Sequence, residues 1–306
     1  MHIKSRVEYF FAKIFEYMTF VVVLDIDPRW WNKSERFSLV VTSVKSFISG
    51  LGLSLPFPSV MDVAIIAAFP DKAVTISQGS WRDVADFSQP LLAAIADRRT
   101  LFESSTELFE SPIAQGVSRG LAYITKRASV AGTGNIMVLE CSTDPTDYAS
   151  QTVALSNCAC DSSSIRVNVV SLGSAKPSSA ILGLVARTSG VHIPYQYTQS
   201  CGQLVEALQF HLAPFAVIGS LKVRPPEATQ EMNAVCACHN RVIDKGYVCS
   251  ICLSIYCSDS ASICTVCGSR IRREAKDELP LHAQVFSKLF ANRDSGAFPV
   301  TQNIFS

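Results

Sequence analysis

The sequence has few charged residues: 17% of its 306 residues are charged, and the formal net charge is +1. A domain that wraps nucleic acid or docks on acidic lipid usually carries a strongly basic face. The one dense basic run is the short stretch at residues 270–273 (R-I-R-R). We therefore expect little direct binding of nucleic acid and none of a membrane surface.

The motifs of common enzyme classes are also missing. Gly132-Thr133-Gly134 lacks the Lys-Ser/Thr that a phosphate-binding loop needs, and no G-x-S-x-G nucleophile elbow occurs. The five histidines are scattered, and His192 and His211 are interpreted as packing or surface residues. These absences predict a chain without a catalytic centre.

No long apolar run opens the chain. Lys13 and Glu16 interrupt the apolar residues of segment 1–17, so that no apolar run is long enough to span a bilayer, and no signal-peptide cleavage site follows. Residues 1–17 are interpreted as an N-terminal extension, either an amphipathic segment or an overlong gene model that starts before Met18; the sequence leaves both open. Hydrophobic residues make up 48% of the chain, which is enough for a sizeable core.

Apolar runs and helical repeats alternate through residues 18–218. Residues 20–24 (F-V-V-V-L) are typical of a strand buried on both faces, and from Ser34 an apolar residue recurs every three or four positions, as in a helix that ends at Gly50 and Gly52. Further strands are expected at 63–69, 73–77, 135–141, 165–172 and 192–197. Strands that alternate with helices predict a doubly wound, mostly parallel α/β sheet with helices on both faces.

A polar stretch with Pro225-Pro226 separates this domain from a cysteine-rich segment. The predicted organisation is an N-terminal extension (1–17), an α/β domain (18–218), a linker (219–235), a small cysteine-rich module (236–274) and a C-terminal tail (275–306).

Seven of the eleven cysteines lie between Cys236 and Cys267. Paired C-x-x-C units at this density favour metal over disulfides and indicate a reducing compartment. Two such pairs supply four thiolates, the ligands of a closed tetrahedral zinc site that has no open position for water. We predict a structural zinc ion bound by Cys249, Cys252, Cys264 and Cys267.

A second, interleaved zinc site would use Cys236, Cys238, His239 and Cys257, as in a RING-like cross-brace. The spacing is not that of a standard knuckle, because one residue separates the first two cysteines and Cys257 has no neighbouring ligand in sequence. The alternative is a surface histidine beside three free thiols, and the sequence leaves both interpretations open.

Carboxylates follow two of the predicted strands: Asp25 and Asp27 after the first, and Asp144 after the strand at 135–141. Such a cluster at the carboxyl ends of strands can bind Mg²⁺. Arg29, however, brings a cation to the place of the metal's charge. We therefore expect no Mg²⁺ here, and predict that Asp25 and Asp27 cap backbone amides and pair with Arg29.

Two segments together resemble one family. Residues 23–31 (V-L-D-I-D-P-R-W-W) are similar to the start of the smaller von Willebrand factor A-like subunit of the TFIIH core complex. Residues 236–239 (C-A-C-H), 246–257 and 264–267 are similar to the zinc module of that family. The domain order fits from Met18 to about Cys267, whereas residues 53–230 match only in their pattern of elements and residues 1–17 depart from it.

The resemblance implies a von Willebrand A-like fold followed by a zinc module. It implies a non-catalytic nuclear scaffold that acts in RNA polymerase II transcription initiation and nucleotide excision repair. The implied partner is the zinc-bearing C-terminal region of the larger von Willebrand A-like subunit of the TFIIH core. Asp27 and Arg29 stand where that fold's Asp-x-Ser-x-Ser metal site has serines, which disfavours Mg²⁺ and an adhesion receptor.

The alternative function is a RING-like ubiquitin ligase or adaptor. It needs two complete zinc sites and an exposed apolar groove, for which Leu253, Ile255 and Tyr256 are the candidates. For the scaffold, Trp30 and Trp31 are either exposed anchors for a partner or core residues that cover the edge of the sheet.

Overall fold

The computed structural model describes residues 17–31, 33–54, 60–84, 86–98, 100, 112–127, 134–141, 151–161, 165–172, 178–195, 201–212, 234–239, 241–251, 254–258 and 262–270. The predicted N-terminal extension except its last residue, most of the predicted linker and the C-terminal tail lie outside these residues. The described elements form a six-stranded sheet with helices and a four-stranded sheet in the cysteine-rich segment.

The α/β part contains six strands and eight helical segments among the described residues. In chain order they are β1 (Tyr17–Asp25), α1 (Pro28–Trp31), α2 (Ser34–Ser54), β2 (Val60–Ala68), β3 (Ala73–Ser80), α3 (Trp81–Val84), α4 (Ser88–Ala96), α5 (Ile113–Arg127), β4 (Gly134–Glu140), α6 (Thr152–Asp161), β5 (Arg166–Ser171), α7 (Ser179–Arg187), β6 (His192–Pro194) and α8 (Cys201–Leu212). The cysteine-rich segment adds β7 (Ala234–Cys236), β8 (Arg241–Ile243), β9 (Tyr247–Val248) and β10 (Ile255–Tyr256).

The large sheet has the strand order β3-β2-β1-β4-β5-β6. Strand β1 pairs in parallel with β2 and β4, and the parallel pairing continues through β5 to β6. The prediction of a mostly parallel α/β sheet is therefore confirmed. Strand β3 runs antiparallel to β2, because only residues 69–72 join the two strands and a parallel pair needs a much longer crossover.

The central strand β1 is buried on both faces. Phe20, Val22 and Leu24 belong to the core cluster on one face, whereas Val21 and Val23 belong to the cluster on the other, and none of the five has exposed surface. Because successive side chains of a strand point to opposite faces, an unbroken apolar run is what a doubly covered strand requires.

Helix α2 is 21 residues long and is the one helix in the described part of the chain that could cross a membrane by length and composition. Its residues Val40, Val44 and Phe47 are fully buried in the core, and the ring of Phe47 lies 5.4 Å from that of Phe20 on β1. These contacts are those of a core helix.

The prediction that Gly50 and Gly52 end this helix was wrong, because α2 continues to Ser54. The two glycines serve packing instead. A Cβ atom at Gly52 would lie 2.4 Å from the indole ring of Trp81, and one at Gly50 would meet the Gln209 side chain. The helix therefore tolerates two poor helix formers because they let α3 and α8 approach closely.

Replacement of Gly52 by alanine should destabilise the α/β domain by about 1–3 kcal/mol, because the added methyl overlaps the rigid indole of Trp81. Chemical denaturation followed by circular dichroism measures the change. Gly183→Ala in α7 is the matched control, since its Cβ would meet nothing within 4 Å; it should be neutral or stabilise by up to about 1 kcal/mol. Equal effects of the two substitutions would contradict the packing explanation.

Candidate metal centres

The small sheet, with strand order β8-β7-β10-β9, brings the distant cysteines together. Its central strand β10 pairs in parallel with β7, where Ile255 faces Cys236, and antiparallel with β9, which leads into Cys249. A strand of two residues thereby lies between both groups of candidate ligands. We call Cys249, Cys264 and Cys267 cluster 1, and Cys236, Cys238, His239 and Cys257 cluster 2.

The four ligand atoms of cluster 2 all lie within 4.8 Å of one another. The Sγ atoms of Cys236 and Cys238 are 2.8 Å apart, and Nδ1 of His239 lies 3.1 Å from Sγ of Cys238 and 3.2 Å from Sγ of Cys257. A tetrahedral zinc site with Zn–S bonds of about 2.3 Å has sulfur atoms about 3.8 Å apart. The four donors thus converge on one point, with four separations of 2.8 to 3.5 Å that are shorter than those around a bound zinc ion.

Two backbone hydrogen bonds hold the halves of cluster 2 together. The N–H of Cys257 donates to Sγ of Cys236 at 3.2 Å, and the N–H of Ala237 donates to the carbonyl of Ile255 at 2.7 Å. Cys257 therefore lies beside other candidate ligands in the folded chain, although none is near it in sequence. The interleaved grouping predicted for these four residues is the one that the structure brings together.

In cluster 1 the thiols of Cys249 and Cys264 are buried and that of Cys267 is exposed, with all three sulfur atoms within 4.8 Å of one another. The Sγ atoms of Cys249 and Cys267 are 3.8 Å apart, which is the spacing expected of two thiolates on one zinc ion. Cys252, the predicted fourth ligand, lies outside the described residues.

The turn that carries Cys264 and Cys267 has the hydrogen bonds of a metal knuckle. The N–H of Cys267 donates to Sγ of Cys264 at 3.4 Å, and the N–H of Gly268 donates to the carbonyl of Cys264 at 2.9 Å. Gly268 has a φ of 71°, in the left-handed region that glycine adopts without strain. The turn therefore depends on a glycine directly after its second cysteine.

Hydrogen bonds within the clusters lower the pKa of Cys236 and Cys264, whereas the hydrogen bond with Cys236 raises the pKa of Cys238. Burial alone would raise the pKa of Cys236, but hydrogen bonds from Cys238 and His239 lower that pKa to about 6. Burial likewise opposes ionisation of Cys264, whereas the hydrogen bond from the Tyr256 hydroxyl lowers its pKa. Because the thiolate and not the thiol binds metal, Cys236 and Cys264 are suited to a soft divalent cation.

The carboxylates at the end of β1 have a structural role. The carboxylate of Asp25 is fully buried and accepts the N–H of Cys141 at 2.9 Å, so the predicted capping of a backbone amide is confirmed for this residue. The main-chain carbonyl of Asp27 accepts the N–H groups of Trp30 and Trp31. Asp144 and the side chain of Arg29 lie outside the described residues.

Of the two alternatives for Trp30 and Trp31, the structure shows core residues and not exposed anchors, since they are 2% and 6% exposed. The indole N–H of Trp31 donates to the carbonyl of Asp25 at 2.6 Å, and the guanidinium of Arg36 lies 5.0 Å from the centre of the Trp30 ring. These apolar rings close the carboxyl end of β1, where the chain would otherwise leave backbone groups and apolar surface open to water.

The predicted groove of a ubiquitin ligase lacks one of its three residues, because Tyr256 is 2% exposed. Its ring belongs to the small core formed with Cys249 and Cys264. Ile255 is half-buried, and Leu253 lies outside the described residues.

A buried polar network at the ends of β4, β5 and β6 was missed by the sequence reasoning. Glu140, 1% exposed, accepts the hydroxyl of Ser171 at 2.5 Å and the N–H of Ser178 at 3.4 Å. Ser171 in turn contacts Nε2 of His192 at 2.8 Å. The carboxylate thus faces the N-terminus of α7, where negative charge is favourable. Only the pairing of the three strands brings these residues together.

Burial lowers the pKa of His192 from 6.5 to about 4. The imidazole of His192 is therefore protonated near pH 6.5 in the unfolded chain but only near pH 4 in the folded chain. The free energy of unfolding consequently falls as the pH is lowered from about 6.5 to about 4. We expect a loss on the order of 2 kcal/mol after allowance for the partial exposure of the ring. Urea unfolding between pH 7 and 4 should show a shallower pH dependence in His192→Gln. An NMR titration that finds the His192 pKa near 6.5 would contradict this.

The described residues define the class of protein to which the chain belongs. It has an α/β domain whose mostly parallel sheet is covered by helices on both faces, followed by a small module with two clusters of metal-ligand side chains. The family model described as "Transcription factor Tfb4" matches residues 17–268. The chain belongs to the Tfb4 family of transcription factors.

Curated relatives match over most of their length. The chain is 25% identical over 268 residues to the general transcription and DNA repair factor IIH subunit TFB4 of Candida glabrata, covering 76% of this chain and 79% of that protein. It is 24% identical over 285 residues to the protein of the same name from Arabidopsis thaliana, covering 84% and 90%. A solved structure described as the TFIIH p34 N-terminal domain aligns at a TM-score of 0.49 with 19% identity, over 65% of this chain and 99% of that one.

Proposed function

We propose that this chain is a non-catalytic structural and assembly subunit of the TFIIH core, acting in RNA polymerase II transcription initiation and nucleotide excision repair. The observation that carries the proposal is the family match, which runs from β1 through both metal-ligand clusters. Relatives named as subunits of the general transcription and DNA repair factor IIH support it. A nuclear location and a role through protein–protein contacts follow from such a function.

The proposed organisation keeps a von Willebrand A-like domain at 18–218, a linker at 219–235 and a zinc module at 236–274, between an N-terminal extension and a C-terminal tail. Its support is that the last described helix of the domain ends at Leu212 and that the small sheet begins with β7 at Ala234, two residues before the proposed start of the module.

The module is proposed to hold two structural zinc ions and the chain no Mg²⁺. Cys249, Cys252, Cys264 and Cys267 form the first proposed site, and Cys236, Cys238, His239 and Cys257 form the second. The convergence of seven of these eight donors into two groups supports both. Four protein ligands complete the coordination of each zinc ion, so that neither site has a place for a reacting water.

Purified protein should contain two zinc ions per chain by elemental analysis. Cys264→Ser and Cys238→Ser should each lower the content and destabilise the module, because the binding energy of a structural zinc, on the order of 10 kcal/mol, contributes directly to folding. Cys201→Ser is the control, since that thiol lies beside Ser43 within the α/β domain and should leave the zinc content unchanged. Folded protein without zinc would refute the proposed sites.

The proposed partner is the zinc-bearing C-terminal region of the larger von Willebrand A-like subunit, alongside other core subunits. The near-zero net charge favours an interface based on apolar contacts rather than on charge attraction. Because Trp30 and Trp31 are buried, the exposed apolar side chains of the helical layer are the candidate anchors for the partner. Leu53 on α2 is 77% exposed and Phe210 on α8 is 41% exposed.

Leu53 and Phe210 lie on neighbouring helices. The Gln209 side chain lies against Gly50, so that the C-terminal halves of α8 and α2 are in contact. The two exposed residues thus belong to the outer surface of one helix pair, on the face of the sheet opposite to α5.

The double substitution Leu53→Glu with Phe210→Glu should reduce co-purification of the TFIIH core subunits from nuclear extract at least tenfold, because burying two carboxylates in an apolar contact is costly. Thermal unfolding should show a native fold. Lys126→Glu, exposed on α5, changes charge on the opposite face and should keep the complex intact. Recovery of the core subunits with the double variant at wild-type yield would exclude this surface.

The alternative function, a RING-like ubiquitin ligase or adaptor, is kept because the ligands of the two clusters alternate along the chain as in a cross-brace. The buried Tyr256 argues against the predicted groove. Incubation with ubiquitin, activating enzyme and a panel of conjugating enzymes should yield no ubiquitin chains. Chain formation abolished by Ile255→Ala would favour the ligase.

A further inference from the structure

One side chain of the cysteine-rich module contacts cluster 1 without being a ligand. The ring of Tyr256 is buried against Cys249 and Cys264, and its hydroxyl lies 2.9 Å from Sγ of Cys264. The N–H of Thr265 donates to the same hydroxyl oxygen at 3.0 Å, and Oγ1 of Thr265 lies 3.2 Å away. A buried tyrosine hydroxyl of this kind is positioned by fixed neighbours rather than by water.

The direction of the hydrogen bond to sulfur follows from the chemistry of the thiolate. A metal-bound thiolate has no proton and can only accept, so the hydroxyl of Tyr256 must be the donor to Cys264. The oxygen of that hydroxyl accepts from the backbone of Thr265, the residue next to the ligand. The tyrosine therefore binds both the sulfur and the main chain of the turn that begins at Cys264.

The same residue is connected to cluster 2 through the backbone. Tyr256 directly precedes Cys257, a ligand of cluster 2, whose N–H donates to Sγ of Cys236 at 3.2 Å. Strand β10 also pairs with β7, so that Ile255 faces Cys236. A displacement of the Tyr256 ring would thus move a ligand of each cluster.

We propose that Tyr256 is a positioning residue that donates a hydrogen bond to the Cys264 thiolate and, through β10, couples metal binding at the two centres. This inference rests on the proposed zinc sites. The hydrogen bond withdraws negative charge from the sulfur and orients it, and outer hydrogen bonds of this kind typically change metal affinity 10–100-fold. The shared strand makes filling of one centre favour filling of the other.

The test uses the full chain with Co²⁺ in place of zinc, because the absorption of Co²⁺ reports its ligands. Tyr256→Phe keeps the buried ring and removes the hydroxyl. Tyr247→Phe is the matched control, since Tyr247 is the antiparallel partner of Tyr256 on β9 but is 53% exposed. Competition with a chelator measures the Co²⁺ affinity of each site. The thiolate-to-cobalt absorption bands distinguish the proposed four-sulfur site at cluster 1 from the three-sulfur–one-nitrogen site at cluster 2.

We expect Tyr256→Phe to weaken Co²⁺ binding at cluster 1 by 10–100-fold and to weaken Co²⁺ binding at cluster 2 as well. The thiolate-to-cobalt band of cluster 1 should move to longer wavelength. Tyr247→Phe should match the wild type. Wild-type affinity and spectrum in Tyr256→Phe would overturn the hydrogen-bond role, and a loss confined to the first centre would overturn the coupling.

Two further outcomes are kept separate. Wild-type protein that binds neither Co²⁺ nor zinc refutes the proposed zinc sites themselves, before any variant is compared. If Tyr256→Phe does not fold, wild-type protein loaded with ¹¹³Cd decides by NMR. Scalar coupling between the Tyr256 hydroxyl proton and the metal supports the hydrogen bond, whereas a resolved hydroxyl proton without that coupling overturns it.

Discussion

The α/β domain depends on the burial of β1 on both faces. The five residues from Phe20 to Leu24 have no exposed surface, and they alternate between two separate core clusters. Such a strand is stable only if helices cover both sides and if neighbouring strands satisfy every backbone group. The parallel pairing with β2 and β4 and the helical layers on either face follow from this one requirement.

The carboxyl edge of the sheet, where open α/β sheets usually bind ligands, carries carboxylates with a structural role here. Two of its carboxylates, Asp25 and Glu140, are buried and accept hydrogen bonds from N–H groups and a hydroxyl. A buried carboxylate needs such donors, because its desolvation is otherwise very unfavourable. Trp30 and Trp31 then cover the end of β1. The edge is used to hold the domain together, which agrees with a scaffold rather than an enzyme.

The cysteine-rich module follows a different physical principle. Its buried apolar cluster in the described residues consists of Cys249, Tyr256 and Cys264, far too little apolar surface for a stable core in a unit of this size. The converging donors of the two clusters offer the usual substitute, a metal ion whose binding energy contributes to folding. With the proposed metal sites, metal binding replaces the apolar packing that stabilises the larger domain.

The sequence by itself determined the α/β class, the central strand at residues 20–24 and the C-x-x-C pairs, because these signals are local: apolar periodicity and ligand spacing act over a few residues. Tertiary structure alone decided that Trp30, Trp31 and Tyr256 are buried, that α2 passes through Gly50 and Gly52, and that Cys257 meets Cys236 twenty-one residues earlier. Each of these outcomes depends on which strand or helix lies opposite. Strand pairing and close helix contacts join residues far apart in the chain, and no local pattern reports them.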